Sequence, residues 1–62
     1  MFTRKQLAEC AARELQKRRD NYPRWVRERR MQQRFADEQI ALMEAIYRVL
    51  INLSDTEINQ QT

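Results

Sequence analysis

The sequence predicts an all-α protein built as a helical hairpin, with helices over about residues 4–21 and 33–53. The 62-residue chain has no Gly and a single Pro, so it lacks the residues that tight β-hairpin turns require. Its many Ala, Leu, Glu, Gln, Arg and Met residues favour helix. We expect one helical domain over residues 1–53, followed by a polar tail or a short capped helix over 54–62.

The first helix has a start signal at Thr3 and Gln6. This spacing lets each side chain accept a hydrogen bond from the free backbone N–H of the other residue. Because the residue before a proline avoids the α region, we expect the helix to end near residues 20–21, ahead of Pro23. Its apolar side chains fall within about 100° of arc on one face. They are Leu7, Ala8, Ala11, Leu15 and Tyr22.

The second helix has a wider apolar surface, which sweeps about 200° of arc where a helix with one neighbour needs about 100°. This width indicates two neighbours, namely the first helix and a second copy of the chain. We therefore expect a homodimer that forms an antiparallel four-helix bundle. Gln39 lies either inside the apolar arc, where a polar residue can fix the register, or at its edge. The predicted interface consists of Phe35, Gln39, Leu42, Met43, Ile46, Val49, Leu50 and Leu53.

Between the helices lies a basic connecting segment that contains the single Trp of the chain. Residues 13–34 carry nine basic residues against three acidic ones, whereas residues 35–62 carry one against five. The part from 23 to 32 either continues as helix or makes a short turn and then bends. Arginine offers a planar fork of donors that suits phosphate or carboxylate, and an exposed aromatic ring stacks on bases or anchors a protein. The candidate partner-binding residues are Arg24, Trp25, Arg27, Arg29, Arg30 and Arg34.

Part of this charge also has a structural explanation. In an antiparallel hairpin the end of the first helix lies beside the start of the second. Arg18 or Arg19 can then pair with Asp37 or Glu38, and the aromatic residues of the segment can close the end of the hairpin. A surplus of arginines is also typical of a solvated surface.

The residue types do not favour catalysis. The chain has no His and no Gly-rich phosphate loop, and Cys10 lacks a His to activate it. A single Cys permits neither an internal disulfide nor a zinc site. We predict no enzyme, no cofactor, no metal site and no small-molecule substrate, and we expect Cys10 to be a small helix filler.

Two observations bear on membranes. The most apolar stretch, Ile40 to Leu53, is short and carries Glu44 and Arg48, so we do not expect it to span a bilayer. The basic start of the chain is not followed by the apolar core of a signal peptide. We therefore expect a cytoplasmic protein without a membrane partner.

Several short motifs between Glu14 and about Leu50 form a pattern. They are Y-P-R-x-V at 22–26, R-M at 30–31, Ala36, and I-A-x-M-E-A-I at 40–46. This pattern resembles that of a group of short, mostly uncharacterised proteins of tailed bacteriophages and prophages. In that group Gly stands at the position of Arg29 and Thr at that of Gln32, which implies a break before a second helix that starts at residue 32 or 33. The resemblance implies a phage or prophage origin and a place in the bacterial host cell, and it brings no established activity.

Three functions fit these observations. The first is a small non-enzymatic phage accessory protein that binds nucleic acid through the arginines around Trp25, with an affinity that falls steeply with salt. The second is an inhibitor or adaptor that binds an acidic patch of a host protein, such as a defence or replication factor. The third is an assembly partner that uses the apolar face of the second helix.

Overall fold

In a computed structural model, described for residues 1–53, the chain forms two α-helices joined by a short turn. Helix α1 spans Arg4–Arg27 and helix α2 spans Gln33–Asn52. Residues late in α1 lie beside residues early in α2, so the helices run antiparallel in a rod of 44 × 16 × 15 Å. The predicted all-α hairpin is confirmed. The predicted tail or capped helix over 54–62 lies outside the described residues.

Helix α1 begins with the capping box that the sequence predicts. The Thr3 hydroxyl accepts from the Gln6 amide at 3.1 Å, and the Gln6 side-chain oxygen accepts from the Thr3 amide at 2.9 Å. Two of the N–H groups that a helix start leaves unpaired are satisfied in this way. A cap of this kind stabilises a helix by about 1 kcal/mol.

Helix α1 continues through Pro23 to Arg27, so the predicted end near residues 20–21 is wrong. A proline inside a helix lacks the N–H that bonds the carbonyl four residues earlier, which costs about 3 kcal/mol. An aromatic contact made by the continued helix, of a kind worth about 0.5–1.5 kcal/mol, offsets part of this cost. Tyr22 and Trp25, three residues apart on one helix face, have ring centroids 5.5 Å apart, and both are half-buried.

The turn at residues 28–32 reverses the chain through a Schellman motif. The Arg29 amide donates to the Val26 carbonyl at 3.0 Å, and the Arg30 amide donates to the Trp25 carbonyl at 2.9 Å. Arg29 has a φ of 61°, in the left-handed region where a Cβ atom is unfavourable. Of the two alternatives for the connecting segment, the structure shows a short continuation of the helix followed by a bend.

Helix α2 begins at Gln33, within the predicted start at residue 32 or 33. The Gly position of the phage-protein pattern is the left-handed Arg29, and its Thr position is the N-cap residue Gln32. Gln32 makes no side-chain hydrogen bond to the first turn. Gly at position 29 and Thr at position 32 would each suit this backbone better than the Arg and Gln that the chain carries.

The core of the hairpin is a narrow seam between the two helices. Three side chains, Ala11, Leu15 and Met43, form its central cluster. Ala8 and Ala36 are the other buried side chains within residues 1–53, so three of the five buried residues are alanines. Small side chains let the helix backbones approach closely, but they remove little apolar area from water. Ile40, Tyr47 and Leu50 pack against the cluster and stay partly exposed.

The predicted pairing of Arg18 or Arg19 with Asp37 or Glu38 is wrong. Arg19 instead pairs with Glu44, with Nη2 2.7 Å from Oε2. Asp37 and Glu38 each bond a side chain within their own helix. The Arg19–Glu44 pair is partly exposed to solvent, so it contributes less than about 1 kcal/mol.

Arg18 ties the helices together through a backbone group. Its Nη1 donates to the Gln39 carbonyl at 2.7 Å, and its Nε lies 3.1 Å from Glu14 Oε1. The Arg18 side chain is only 21% exposed. A charged donor on a partly buried carbonyl is stronger than a neutral hydrogen bond, so this contact helps to fix the register of the hairpin.

We predict that Arg29→Gly stabilises the protein by about 1 kcal/mol relative to Arg29→Ala, because glycine adopts the left-handed conformation without the Cβ penalty. Both variants remove the same charge, so the comparison isolates the backbone term. Urea denaturation followed by circular dichroism at one protein concentration measures it. Equal stability of the two variants would show that residue 29 is not held at positive φ.

Candidate functional site

Five arginines project from the turn end of the hairpin, and together with Trp25 they are called the arginine tip. They come from the last turns of α1, the connecting turn and the first turn of α2, which the hairpin brings to one end of the rod. All five arginines are exposed, whereas Trp25 is half-buried. The arginine tip consists of Arg24, Trp25, Arg27, Arg29, Arg30 and Arg34.

Few carboxylates offset this charge. Arg30 Nη1 lies 3.6 Å from Glu28 Oε1, and Arg34 Nε lies 3.7 Å from Glu38 Oε1. Both pairs are exposed and long, and such pairs are weak. Within residues 1–53, the other three arginines of the tip have no ion-pair partner. The tip therefore carries an unneutralised positive charge that an anion can meet.

The helix dipoles favour the positions of some arginines of the tip but not of all. Arg24 and Arg27 lie in the last turn of α1, where cations interact favourably with the negative end of the helix dipole. Arg34 lies in the first turn of α2, at the positive end, and its side chain is 91% exposed. That turn has no acidic residue and no side-chain cap. The start of α2 therefore repels cations and favours an anion.

Trp25 is held by its neighbours and is not an open stacking surface. The guanidinium carbon of Arg30 lies 5.2 Å from the centroid of the Trp25 ring, and the Tyr22 ring lies 5.5 Å away at an interplanar angle of 34°. A cation over an indole face is attracted by the ring quadrupole. A base could stack on this face of Trp25 only after Arg30 moves. The sequence places Arg30 and Trp25 in one segment but does not reveal this contact.

A second surface lies along α2, where large apolar side chains face solvent instead of α1. Phe35, Leu42, Ile46 and Val49 are between 50% and 59% exposed. Half-buried Gln39 and Leu53 continue the same row at helical spacing. This row is called the open stripe, and its members are Phe35, Gln39, Leu42, Ile46, Val49 and Leu53.

Two of the eight predicted interface residues do not lie on the open stripe. Met43 is buried in the core cluster with Leu15, and Leu50 packs against that cluster. Met43 therefore faces α1 of its own chain, which corrects its assignment to a face that a second copy would cover. Leu50 lies between the two surfaces, because it also borders an open hollow beside Leu42 and Ile46. Periodicity alone could not separate these residues, because they belong to the same wide apolar arc as the open stripe.

Further observations concern metal binding, the single cysteine, membrane spans and similarity to known proteins. Among residues 1–53, no group of three or more His, Cys, Asp or Glu side chains is placed to hold a metal ion. Cys10 is exposed on α1. Neither α1 nor α2 combines the length and the apolar character that crossing a bilayer requires. The chain matches no protein-family model, no curated protein and no solved structure.

We predict that Arg30→Ala makes Trp25 more accessible to acrylamide and lowers the stability by about 0.5–1 kcal/mol, because the cation that covers the ring is removed. Tryptophan fluorescence reports this site alone, since Trp25 is the single Trp of the chain. Arg34→Ala is the matched control, because it removes an equal charge from the tip without uncovering the ring. Equal quenching of the two variants would contradict the Arg30–Trp25 contact.

Proposed function

We propose that this protein binds nucleic acid through the arginine tip, by contact with backbone phosphates. The observation that carries the proposal is the concentration of five exposed guanidinium groups at one end of the hairpin, offset within residues 1–53 by only two weak ion pairs. A guanidinium presents a rigid fork of N–H donors that matches two phosphate oxygens. Each neutralised phosphate releases condensed counterions, which supplies the driving force for binding.

The chemistry of the tip favours binding without strong sequence preference. Phosphate contacts position a protein on nucleic acid, but sequence is read by groups that reach the base edges. Arg30 covers one face of the aromatic ring of the tip, so a base cannot stack on that face in the free protein unless Arg30 moves. We therefore expect affinity to depend on salt and length far more than on base sequence.

The proposed assembly is a homodimer in which the open stripe is covered by a second copy. Four large side chains of α2 are at least half exposed, while only five residues between 1 and 53 are buried. A domain of this size buries too little apolar surface to be very stable alone. Association on the open stripe removes this surface from water and completes a four-helix bundle.

The resemblance to short proteins of tailed phages and prophages supports a proposed role as a phage accessory protein in the bacterial host cell. The same apolar surface also favours an alternative, an adaptor or inhibitor that binds a host protein. Capture from host lysate with and without nuclease separates these functions. Nuclease-sensitive capture supports nucleic-acid binding, whereas nuclease-resistant capture of a host protein supports the alternative.

We predict that the triple variant Arg24→Gln, Arg27→Gln, Arg34→Gln binds duplex DNA and RNA more weakly than the unaltered chain. The slope of log affinity against log salt should become shallower by about 0.9 for each phosphate of duplex DNA that the variant no longer neutralises. Fluorescence anisotropy over a salt series measures both quantities.

The matched control is the triple variant Lys5→Gln, Arg13→Gln, Lys17→Gln, which removes the same charge from exposed positions of α1 outside the tip. This control should keep most of the affinity. If both triple variants lose affinity equally, binding follows net charge and not the tip. If the unaltered chain binds neither DNA nor RNA at low salt, the proposed function is wrong.

We also predict that Leu42→Gln combined with Ile46→Gln converts the dimer to a monomer of lower stability, because two polar side chains replace the centre of the open stripe. Light scattering after size exclusion gives the mass, and circular dichroism reports the remaining helix. Ile51→Gln is the control, since Ile51 is an exposed apolar residue of α2 outside the open stripe. A monomeric unaltered chain, or equal masses for the two variants, would contradict this interface.

A further inference from the structure

We propose that the two copies pack with their α2 helices in opposite directions, so that each dimer carries its two arginine tips at opposite ends and joins two nucleic-acid segments. This inference rests on the proposed function and specifies the geometry of the assembly. It follows from the residue spacing on α2, from the shape of the open stripe and from the position of the charge.

Helix α2 carries two apolar rows with the same alternating spacing of four and three residues. The row that faces α1 consists of Ala36, Ile40, Met43, Tyr47 and Leu50. The open stripe repeats that spacing one residue earlier along the chain. An offset of one residue turns the row by about 100°, close to the angle between the two neighbours of a helix in a square four-helix bundle. A row with 3.5-residue spacing is a seam for another helix.

The open stripe is complementary to itself when two copies run in opposite directions. The midpoint of the open stripe lies level with Glu44. When two copies pair about this point, Phe35 of one copy lies opposite Leu53 of the second copy, and Leu42 lies opposite Ile46. An open hollow of about 310 Å³ lies at the centre of this face, lined by Leu42, Ala45, Ile46, Val49 and Leu50. A large side chain from the second copy fits such a hollow as a knob fits a hole.

The charge of the tip decides the orientation. Neighbouring helices in a bundle lie about 8–10 Å apart, so a parallel dimer would bring the two Arg34 residues and both arginine tips to within about 10 Å. In the opposite orientation the two Arg34 residues are twenty residue steps apart along the axis, or about 30 Å. The Debye length at physiological ionic strength is about 8 Å. The tips therefore repel each other in the parallel dimer and are screened in the antiparallel one.

An antiparallel dimer has a functional consequence. Its two tips are equivalent, and they point away from each other along the long axis of the dimer. A single hairpin is 44 Å long. Each tip can hold a separate phosphate backbone. The dimer is then a divalent binder that bridges two duplexes or two distant parts of one nucleic acid.

Orientation is tested by disulfide exchange between two single-cysteine chains, Gln39→Cys and Val49→Cys, each made with Cys10→Ser. Positions 39 and 49 face each other in the antiparallel dimer, whereas two copies of position 39 are about 15 Å apart along the axis. A disulfide needs Cα atoms within about 7 Å. Mixing the chains under oxidising conditions should therefore give mainly the 39–49 heterodimer, identified by its mass. A third chain, Ile51→Cys with Cys10→Ser, should remain uncrosslinked.

Homodimeric 39–39 and 49–49 disulfides in place of the mixed product would overturn the orientation. The absence of any disulfide, together with a monomeric mass for the unaltered chain, would overturn the dimer. These outcomes do not depend on nucleic acid, so they are separate from a failure of the proposed function.

Bridging is tested with an immobilised DNA duplex and a second, labelled duplex. The unaltered chain should retain the labelled duplex, and the Leu42→Gln, Ile46→Gln variant should bind the immobilised duplex without retaining the second. A chain that binds single duplexes as a dimer but never retains a second one would contradict divalent binding.

Discussion

The narrow apolar seam between α1 and α2 is the contact on which the rest of the structure depends. Leu15 and Met43 are the large buried side chains within residues 1–53, and alanines make up the remainder of the buried set. At roughly 1.5–3 kcal/mol for each fully buried large apolar side chain, this seam gives limited stability against the conformational entropy of an ordered hairpin. The core is therefore small, while a row of large apolar side chains on α2 stays exposed.

Helix α2 carries two apolar rows, while the positive charge is concentrated at the turn end of the hairpin. One apolar row packs on α1, and the open stripe faces solvent about 100° away. The arginines lie at the turn, beyond the end of both rows, so association along the open stripe leaves the arginine tip free. The turn is held by a Schellman motif and by Arg30 over Trp25. Arg30 therefore has a structural role within a cluster whose other arginines remain available to a partner.

Helical composition, the capping box and the spacing of apolar residues were sufficient to predict the two helices. The start of α2 near Gln33 was predicted correctly. The end of α1 was not, because the local rule that a helix stops before proline takes no account of the Tyr22–Trp25 contact or of the closing motif beyond it. Such contacts depend on three-dimensional packing, so residue preferences alone do not reveal them.

The candidate surfaces were predicted in part. The arginines of the tip are exposed, as a binding surface requires, but the cover over Trp25 depends on the fold of the turn. Likewise, the wide apolar arc of α2 was visible in the sequence, but its division into a row facing α1 and an open stripe was not. Met43 lies on the side that the hairpin itself covers, because the direction from which α1 approaches is set by the register between the helices.

The central claim is that a second copy completes the small core of this hairpin. The most direct measurement is the thermal unfolding of the unaltered chain by circular dichroism over a hundred-fold range of protein concentration. A dimer loses about 2.7 kcal/mol of association free energy on hundred-fold dilution, so its midpoint should fall by several degrees. A midpoint that does not change with concentration, with a monomeric mass throughout, would contradict the account.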